Sequence, residues 1–192
     1  MDSAGSEVAL LTRARAGDED AFAALVTLHA ARLYAALRQF GLDAAEAEDV
    51  AQEVFLRAWR GLKRFQGRAQ FSTWLYRIAF NEAQRRMSRR PPVPVSAAQS
   101  HEDPVTALPQ ATGLGPEAQA LDHEFTAILE RALRELPSDW RAAVVLRDIH
   151  GLSTEAAAEV VGIRQLSFKS RLHRGRMQLR ALLAPYLELD RS

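Results

Sequence analysis

The chain has 192 residues, a formal net charge of +1 and 47% hydrophobic residues, enough for one ordinary domain or two small ones with a buried core. It has no cysteine, which excludes disulfides, thiolate zinc sites and cysteine nucleophiles and suits a reducing cytoplasm. Strand formers are sparse, so we expect an all-helical fold, and we expect neither a signal peptide nor an apolar run of about 20 residues that could span a membrane.

Four helices are predicted in the first half of the chain. A short helix covers residues 7–16, and a second, over 18–40, ends at Gly41. The periodic apolar stripe of this second helix contains Phe22, Leu25, Val26, His29 and Leu33. Asp43, with Glu46 three residues later, forms a capping box that opens the third helix, which ends near Gly61. After a basic loop, the fourth helix begins at Ser72 or Thr73 and ends near Arg90.

A proline-rich segment separates the two halves. Six of the eight prolines lie between Pro91 and Glu117, so no long helix is expected there. We therefore predict a flexible, partly extended linker over 91–117, between one helical domain over 7–90 and a second over 118–189.

Four more helices are predicted in the second half. The first spans about 117–136, and Ser138 caps the next, which stops at Gly151. The residues of this second helix that should point inward are Ala142, Val145, Leu146 and Ile149. Ser153 caps a short helix that Gly162 closes, and a longer one runs over about 165–183, before Pro185.

Charge is strongly segregated along the chain. Residues 43–53 hold five acidic residues and no basic one, whereas residues 164–180 hold six basic residues and no acidic one. This asymmetry indicates two different partners, one of which carries negative charge.

The last two helices have the pattern of a helix-turn-helix. Gly162 lies in the turn, and apolar residues are spaced to pack two helices at a steep angle. In this motif the second helix enters the major groove of DNA, where Arg and Lys bind phosphates or guanine and Ser and His donate or accept hydrogen bonds. The candidate DNA-binding residues are Arg164, Lys169, Ser170, Arg171, His173, Arg174 and Arg176. The alternative is a solvated surface helix rich in arginine.

These residues resemble a known family. The second half is similar to domain four of the extracytoplasmic-function (ECF) sigma factors of RNA polymerase. The residues that carry this similarity are Leu136-Pro137, Arg141, Leu146-Arg147, the run Gly151 to Glu155 and the run Lys169 to Arg176. The resemblance implies that this module recognises the minus-thirty-five promoter element, with Lys169, Ser170, His173 and Arg174 at DNA-contacting positions. Ser167-Phe168 replaces the family's usual Thr-Val pair and Ala157 its usual isoleucine, differences that bear on promoter preference.

The third helix carries an acidic surface edged by aromatic residues. By their spacing, one face of this helix holds Asp49, Gln52, Glu53 and Leu56. Another face holds Val50, Val54 and Ala58. Such a strip fits a protein partner with a basic surface, although Phe55 and Trp59 can equally belong to the core. The segment resembles the part of sigma domain two that grips the clamp helices of the polymerase. The implied polymerase-binding residues are Asp49, Gln52, Glu53, Phe55, Leu56 and Trp59.

The fourth helix and the loop before it combine aromatic and cationic side chains, which can hold unstacked single-stranded DNA without catalysis. They resemble the family's segment for minus-ten recognition and melting, and the loop at 63–70 corresponds to the one that captures a flipped base. The implied DNA-binding residues are Arg64, Phe65, Arg68, Ser72, Thr73, Trp74, Arg77, Asn81, Arg85 and Arg86. Whether Trp74 binds DNA or anchors the core is open.

No set of residues indicates catalysis, a metal or a cofactor: the five histidines lack metal-binding spacing, and no glycine-rich phosphate loop is present. Together with the resemblance, this predicts a cytoplasmic, non-enzymatic sigma factor whose partners are core RNA polymerase and promoter DNA, without membrane insertion. The resemblance also implies control by an anti-sigma factor. The alternatives are a stand-alone helix-turn-helix regulator, a sigma-like protein that only binds a regulator, and a helical enzyme.

Overall fold

A computed structural model describes residues 3–67, 69–89 and 116–189, and within these ranges the chain forms eight α-helices and no strand. The helices are α1 (Ser3–Arg15), α2 (Glu19–Phe40), α3 (Ala44–Gly61), α4 (Phe71–Ser88), α5 (Pro116–Glu135), α6 (Ser138–Val144), α7 (Thr154–Val161) and α8 (Gln165–Leu189). The predicted all-helical fold is confirmed. The predicted linker lies outside the described residues, except for its last two, which belong to α5.

Local signals set most helix ends as predicted. In the capping box, the Asp43 carboxylate accepts from the Glu46 amide at 2.8 Å, and the Glu46 carboxylate accepts from the Asp43 amide at 3.2 Å. Gly41, with a φ of 110°, ends α2 in the left-handed region, where a side chain would be strained. The Ser153 hydroxyl accepts from the Ala156 amide at the start of α7, as expected.

Three predicted details are wrong. Ser138 does not cap α6, because Pro137 occupies the cap position and Ser138 is already helical. Ile149 is 37% exposed rather than inward-facing, since α6 continues into a π-helical turn over Val145–Ile149 that breaks the 3.6-residue register. Finally, α8 continues through Pro185, because a proline removes one helical hydrogen bond but does not have to end a helix.

Each half has a core of aliphatic side chains. In the first half α2, α3 and α4 pack on one another around Leu25, Leu37, Val54 and Leu75, and α1 covers α2. In the second half α8 packs across α5, α6 and α7 around residues that include Leu133, Leu136, Val145, Leu146 and Phe168. Contrary to expectation, α2 has the length and hydropathy of a possible membrane span. Core helices of soluble proteins pass the same test, and α2 contributes seven buried residues to this fold.

The two halves contact each other directly. Helix α4 packs on α7, and α2 packs on α5, α6 and the π-helical turn, so that the buried residues form one continuous cluster. The Tyr76 hydroxyl lies 2.9 Å from His150 Nδ1, and His150 Nε2 lies 2.9 Å from the Gln39 side-chain oxygen.

Candidate functional site

An apolar groove of about 510 Å³ runs between α2 and α3. Its lining residues are Glu19, Phe22, Val26, Gln52, Phe55, Leu56 and Trp59. Four of the six residues predicted to bind polymerase thus come together here, and Leu56 is 50% exposed. The rings of Phe22 and Trp59 pack with centroids 4.9 Å apart, which forms the floor between the two helices.

The two aromatic residues of α3 lie between the core and the groove. Phe55 and Trp59 are partly buried against the core and also line the groove, so each has one side in each environment. Sequence reasoning missed Phe22 and Val26 as part of this surface. The available signal was their spacing of four residues, which puts them on one face of α2.

The other two predicted polymerase-binding residues lie beside α4 and form ion pairs. Asp49, 67% exposed, accepts from the Arg86 guanidinium at 3.1 Å. Glu53 pairs with Arg57 at 2.7 Å within α3. Exposed pairs of this kind stabilise a fold by less than about 1 kcal/mol, so a partner surface can replace them at little cost.

Arg85 and Arg86, predicted to bind DNA, belong to the same charged surface. Arg85 pairs with Glu82 at 3.2 Å, and Arg86 also approaches Glu46 at 3.6 Å. The acidic side chains of α3 and the basic ones of α4 therefore partly neutralise each other. Any binding of DNA by these two arginines competes with their carboxylate partners.

Three aromatic rings join α4 to the loop before it. The centroids of Phe65 and Trp74 are 5.0 Å apart, and those of Phe71 and Trp74 are 5.8 Å apart. The Trp74 ring also lies against Gly61, where an added Cβ would come within 3.2 Å of it. Trp74 is nevertheless only partly buried, and it lines a cavity of about 200 Å³ together with Arg64 and Phe65. It both anchors the core and faces this cavity.

The remaining residues predicted to contact the minus-ten element differ in accessibility. Arg64, Arg77 and Asn81 are exposed, and Ser72 is partly exposed. Thr73 is only 6% exposed, so it is not accessible to DNA in this arrangement of the halves. It shares a face of α4 with Tyr76, and α7 packs on that helix. Arg68 lies outside the described residues.

The second half thus covers part of the predicted melting surface. Arg77 of α4 pairs with Glu159 of α7 at 3.4 Å. Burial, together with the smaller effect of the nearby charge of Arg32, lowers the pKa of His150 to about 4, and burial raises the pKa of Tyr76 to about 12. Both side chains are therefore neutral near pH 7. The role of His150 was missed, because its partners Tyr76 and Gln39 lie 74 and 111 residues away in sequence.

The helix-turn-helix forms as the sequence predicts. Gly162, with a φ of 71°, closes α7, and Phe168 and Leu172 of α8 are buried. Gly175 allows α8 to approach α6 closely, since an added Cβ would lie 3.0 Å from the Trp140 carbonyl oxygen. The predicted DNA-binding residues on the exposed face are Arg164, Lys169, Ser170, His173 and Arg174.

Two of the predicted DNA-binding arginines point to carboxylates instead. Arg171 pairs with Asp139 at 3.1 Å. Arg176 donates from Nε to Asp148 at 2.9 Å and from Nη2 to the second carboxylate oxygen, and these hydrogen bonds raise the pKa of Arg176. Although α8 contains no acidic residue between 165 and 180, tertiary packing brings two next to it, so the helix is less cationic than its sequence suggests.

Comparison with known proteins covers both halves. Residues 25–91 match the family model of Sigma-70 region 2, and residues 126–179 match that of Sigma-70 region 4. The chain is 37% identical over 183 residues to the RNA polymerase sigma-H factor of Pseudomonas aeruginosa, covering 93% of this chain and 94% of that protein. It is 33% identical over 176 residues to the ECF RNA polymerase sigma factor SigW of Bacillus subtilis, covering 90% and 94%.

Two solved structures share the fold. CnrH, in complex with the cytosolic domain of CnrY, superposes with a TM-score of 0.68 at 28% identity, covering 94% of this chain and 98% of CnrH. The sigma factor RpoE of Bartonella quintana, in complex with the anti-sigma factor NepR, gives a TM-score of 0.65 at 26% identity, covering 85% and 96%.

Proposed function

Because the chain belongs to the extracytoplasmic-function family of RNA polymerase sigma factors, which direct core polymerase to promoters, we propose a role for each of its three surfaces. The groove between α2 and α3 binds the polymerase. The loop before α4, together with α4, opens the minus-ten element, and α8 docks in the minus-thirty-five element. The chemistry of transcription belongs to the polymerase, so the chain itself needs no catalytic residue.

The proposal that this chain binds polymerase through α2 and α3 rests on the groove between them. It is an exposed apolar surface whose lining includes Leu56 and Gln52, and the acidic residues Asp49 and Glu53 lie on the same helix, on the charged surface beside α4. Protein interfaces commonly combine an apolar centre with a polar rim. The partner that fits is a pair of helices with basic side chains beside apolar ones, as expected of the polymerase clamp helices.

Charge reversal at Glu53 tests this assignment. We expect Glu53→Lys to weaken binding to core polymerase at least tenfold, because a cation then faces a basic partner. Affinity is measured by fluorescence anisotropy of labelled protein titrated with core enzyme. Glu48→Lys is the matched control, since Glu48 is exposed on the same helix but lines neither the groove nor the charged surface that Asp49 and Glu53 share with α4. Equal affinity of the two variants would contradict the assignment.

The melting role of α4 is supported by its chemistry rather than by its accessibility. Trp74 and Phe65 offer stacking faces beside Arg64, and Arg77 and Asn81 extend a polar surface along the helix. Because α7 packs on α4, the two halves must separate before single-stranded DNA reaches Thr73. This need for separation supports two domains, over 7–90 and 118–189, joined by a linker over 91–117.

Regulation by an anti-sigma factor is part of the proposal. CnrH was solved in complex with the cytosolic domain of CnrY, and the Bartonella RpoE in complex with the anti-sigma factor NepR; both resemble this chain over most of its length. A cytoplasmic anti-sigma domain that holds the two halves together would keep α7 packed over part of the DNA-binding surface of α4. The cytoplasm is also where the polymerase acts.

Run-off transcription on a genomic fragment library tests the proposal as a whole. Core polymerase with the protein should produce discrete start sites that core polymerase alone does not, and the shared upstream sequences would define the promoter. Core binding without new transcripts would favour a sigma-like protein that only binds a regulator. Neither transcripts nor core binding would favour a stand-alone DNA-binding protein.

A further inference from the structure

The outward face of α8 carries an apolar residue that the helix-turn-helix fold does not use. Leu166 is 78% exposed, more than any other large hydrophobic residue that the structure describes. It lies in the first turn of α8, on the side opposite Phe168 and Leu172, which are buried. Leu166 therefore contributes nothing to the core and is available for contact with a partner.

Leu166 continues a line of exposed side chains along the helix. Ser170, His173 and Met177 follow it at four, seven and eleven residues, the spacing of one helical face, and all are exposed. The Ser170 hydroxyl donates to the Leu166 carbonyl at 3.2 Å, so the two residues are in register on adjacent turns. Leu166 thus shares a face with two residues proposed to contact DNA.

The surroundings of Leu166 are cationic and polar. Arg164, Lys169 and Arg174 are exposed, and they form no ion pair within the described part of the chain. A partner that covers this face must therefore combine negative charge with a small apolar spot. The major groove of DNA offers both, because phosphates line it and each thymine projects a C5-methyl group into it.

We propose that Leu166 contacts the C5-methyl group of a thymine in the minus-thirty-five element and thereby helps to determine promoter specificity. The proposal rests on the docking of α8 proposed above. The N-terminal residues of a recognition helix are the ones that reach base edges, and a leucine side chain can discriminate there only by apolar contact. Neither cytosine nor deoxyuridine carries the methyl group, so both lose this contact.

Methyl deletion in the DNA provides the test. The element preferred by wild-type holoenzyme is first selected from random upstream sequences, and each thymine in it is then replaced singly by deoxyuridine, which removes only the methyl group. At one position we expect the affinity of the holoenzyme to fall about fourfold, the effect of exposing one methyl-sized apolar group. Leu166→Ala should bind the thymine promoter with a similar loss and be insensitive to deoxyuridine at that position.

Met177→Ala is the matched control, because Met177 is an exposed apolar residue on the same face, three turns away. This variant should keep the wild-type sensitivity to deoxyuridine. Sensitivity that persists in Leu166→Ala would overturn the proposal, as would selective binding with no sensitivity at any thymine, and in both cases the docking of α8 would stand. Binding without any sequence selectivity would instead refute the docking of α8 and the role of Leu166 together.

Discussion

At the scale of single residues, Arg141 joins helix ends from both halves. Its guanidinium donates from Nη1 to the Phe40 carbonyl at 3.0 Å, and from Nη2 to the carbonyls of Arg134 at 2.9 Å and Leu136 at 3.0 Å. Carbonyls in the last turn of a helix lack partners within the helix, and a cation there is also favoured by the helix dipole. Gly41 leaves room for this contact, because a Cβ at that position would clash with the guanidinium.

Removing the guanidinium should destabilise the protein. We expect Arg141→Met, which keeps the aliphatic stem, to lower the free energy of unfolding by about 2–4 kcal/mol, because three carbonyls lose a charged donor. Urea denaturation followed by circular dichroism measures it. In the control Arg134→Met, the lost group is an exposed partner of Glu130, and a change below about 1 kcal/mol is expected. Similar losses in both variants would mean that the Arg141 hydrogen bonds add little.

At the scale of elements, α8 has two kinds of arginine. Arg174 is exposed on the outward face, whereas Arg176 is held by Asp148 of the preceding π-helical turn. A guanidinium that already has a bidentate carboxylate partner gains less from a phosphate than a solvated one does. The two side chains therefore differ in how available they are to DNA, although they lie two residues apart in one basic run.

This difference can be measured on promoter DNA. We expect Arg174→Ala to weaken binding of the holoenzyme to its minus-thirty-five element by about 1–3 kcal/mol if Arg174 reads a base, and Arg176→Ala to weaken it less. Competition binding on matched and mutated elements separates the two modes of contact. An equal loss for Arg174→Ala on every sequence would make Arg174 a phosphate contact only, and a larger loss for Arg176→Ala would contradict the assignment.

At the scale of the whole molecule, the contact between the halves covers part of α4, the helix proposed to open the minus-ten element. Hydrogen bonds of His150, at the end of the π-helical turn, link the two halves. One joins it to Tyr76 of α4, and the other joins it to Gln39 of α2. Arg32 is the charged neighbour that affects the pKa values of both Tyr76 and His150, and Glu7, His29, Glu155 and Glu159 line the same cavity. A change in the charge of His150 should therefore shift the balance between a closed arrangement, in which the two halves are in contact, and an open one, in which they are separated.

A fall in pH should separate the two halves. The pKa of His150 is about 4 in the closed arrangement against 6.5 for a solvated histidine, so its contribution to closure is complete above pH 6.5 and declines as pH falls toward 4. At pH 5 the loss is about 2 kcal/mol. Since the chain has no cysteine, dyes at Glu48→Cys and Glu135→Cys report the separation by energy transfer, which should fall between pH 7 and pH 5.

His150→Gln is the control for this titration, because glutamine can still hydrogen-bond to Tyr76 but does not titrate. The pH dependence of energy transfer should be reduced in this variant. His29, whose pKa burial also lowers, lies beside Glu7 and is a second histidine at the same cavity, so His29→Gln measures its share of any pH dependence that remains. Unchanged pH dependence in His150→Gln would mean that His150 does not control the contact.

The sequence by itself determined the helices, most of their caps and the composition of the three surfaces, because these depend on neighbours within four residues. Helix ends are set by local contacts, as at the capping box of Asp43 with Glu46 and at Gly41 and Gly162. The periodic spacing of Phe168 and Leu172 predicts the buried side of α8. Only the tertiary structure decided which charges are available and which residues are covered. Asp148 neutralises Arg176 across 28 residues, and α7, packed on α4, leaves Thr73 buried. No local pattern encodes such contacts, because they depend on how distant helices pack.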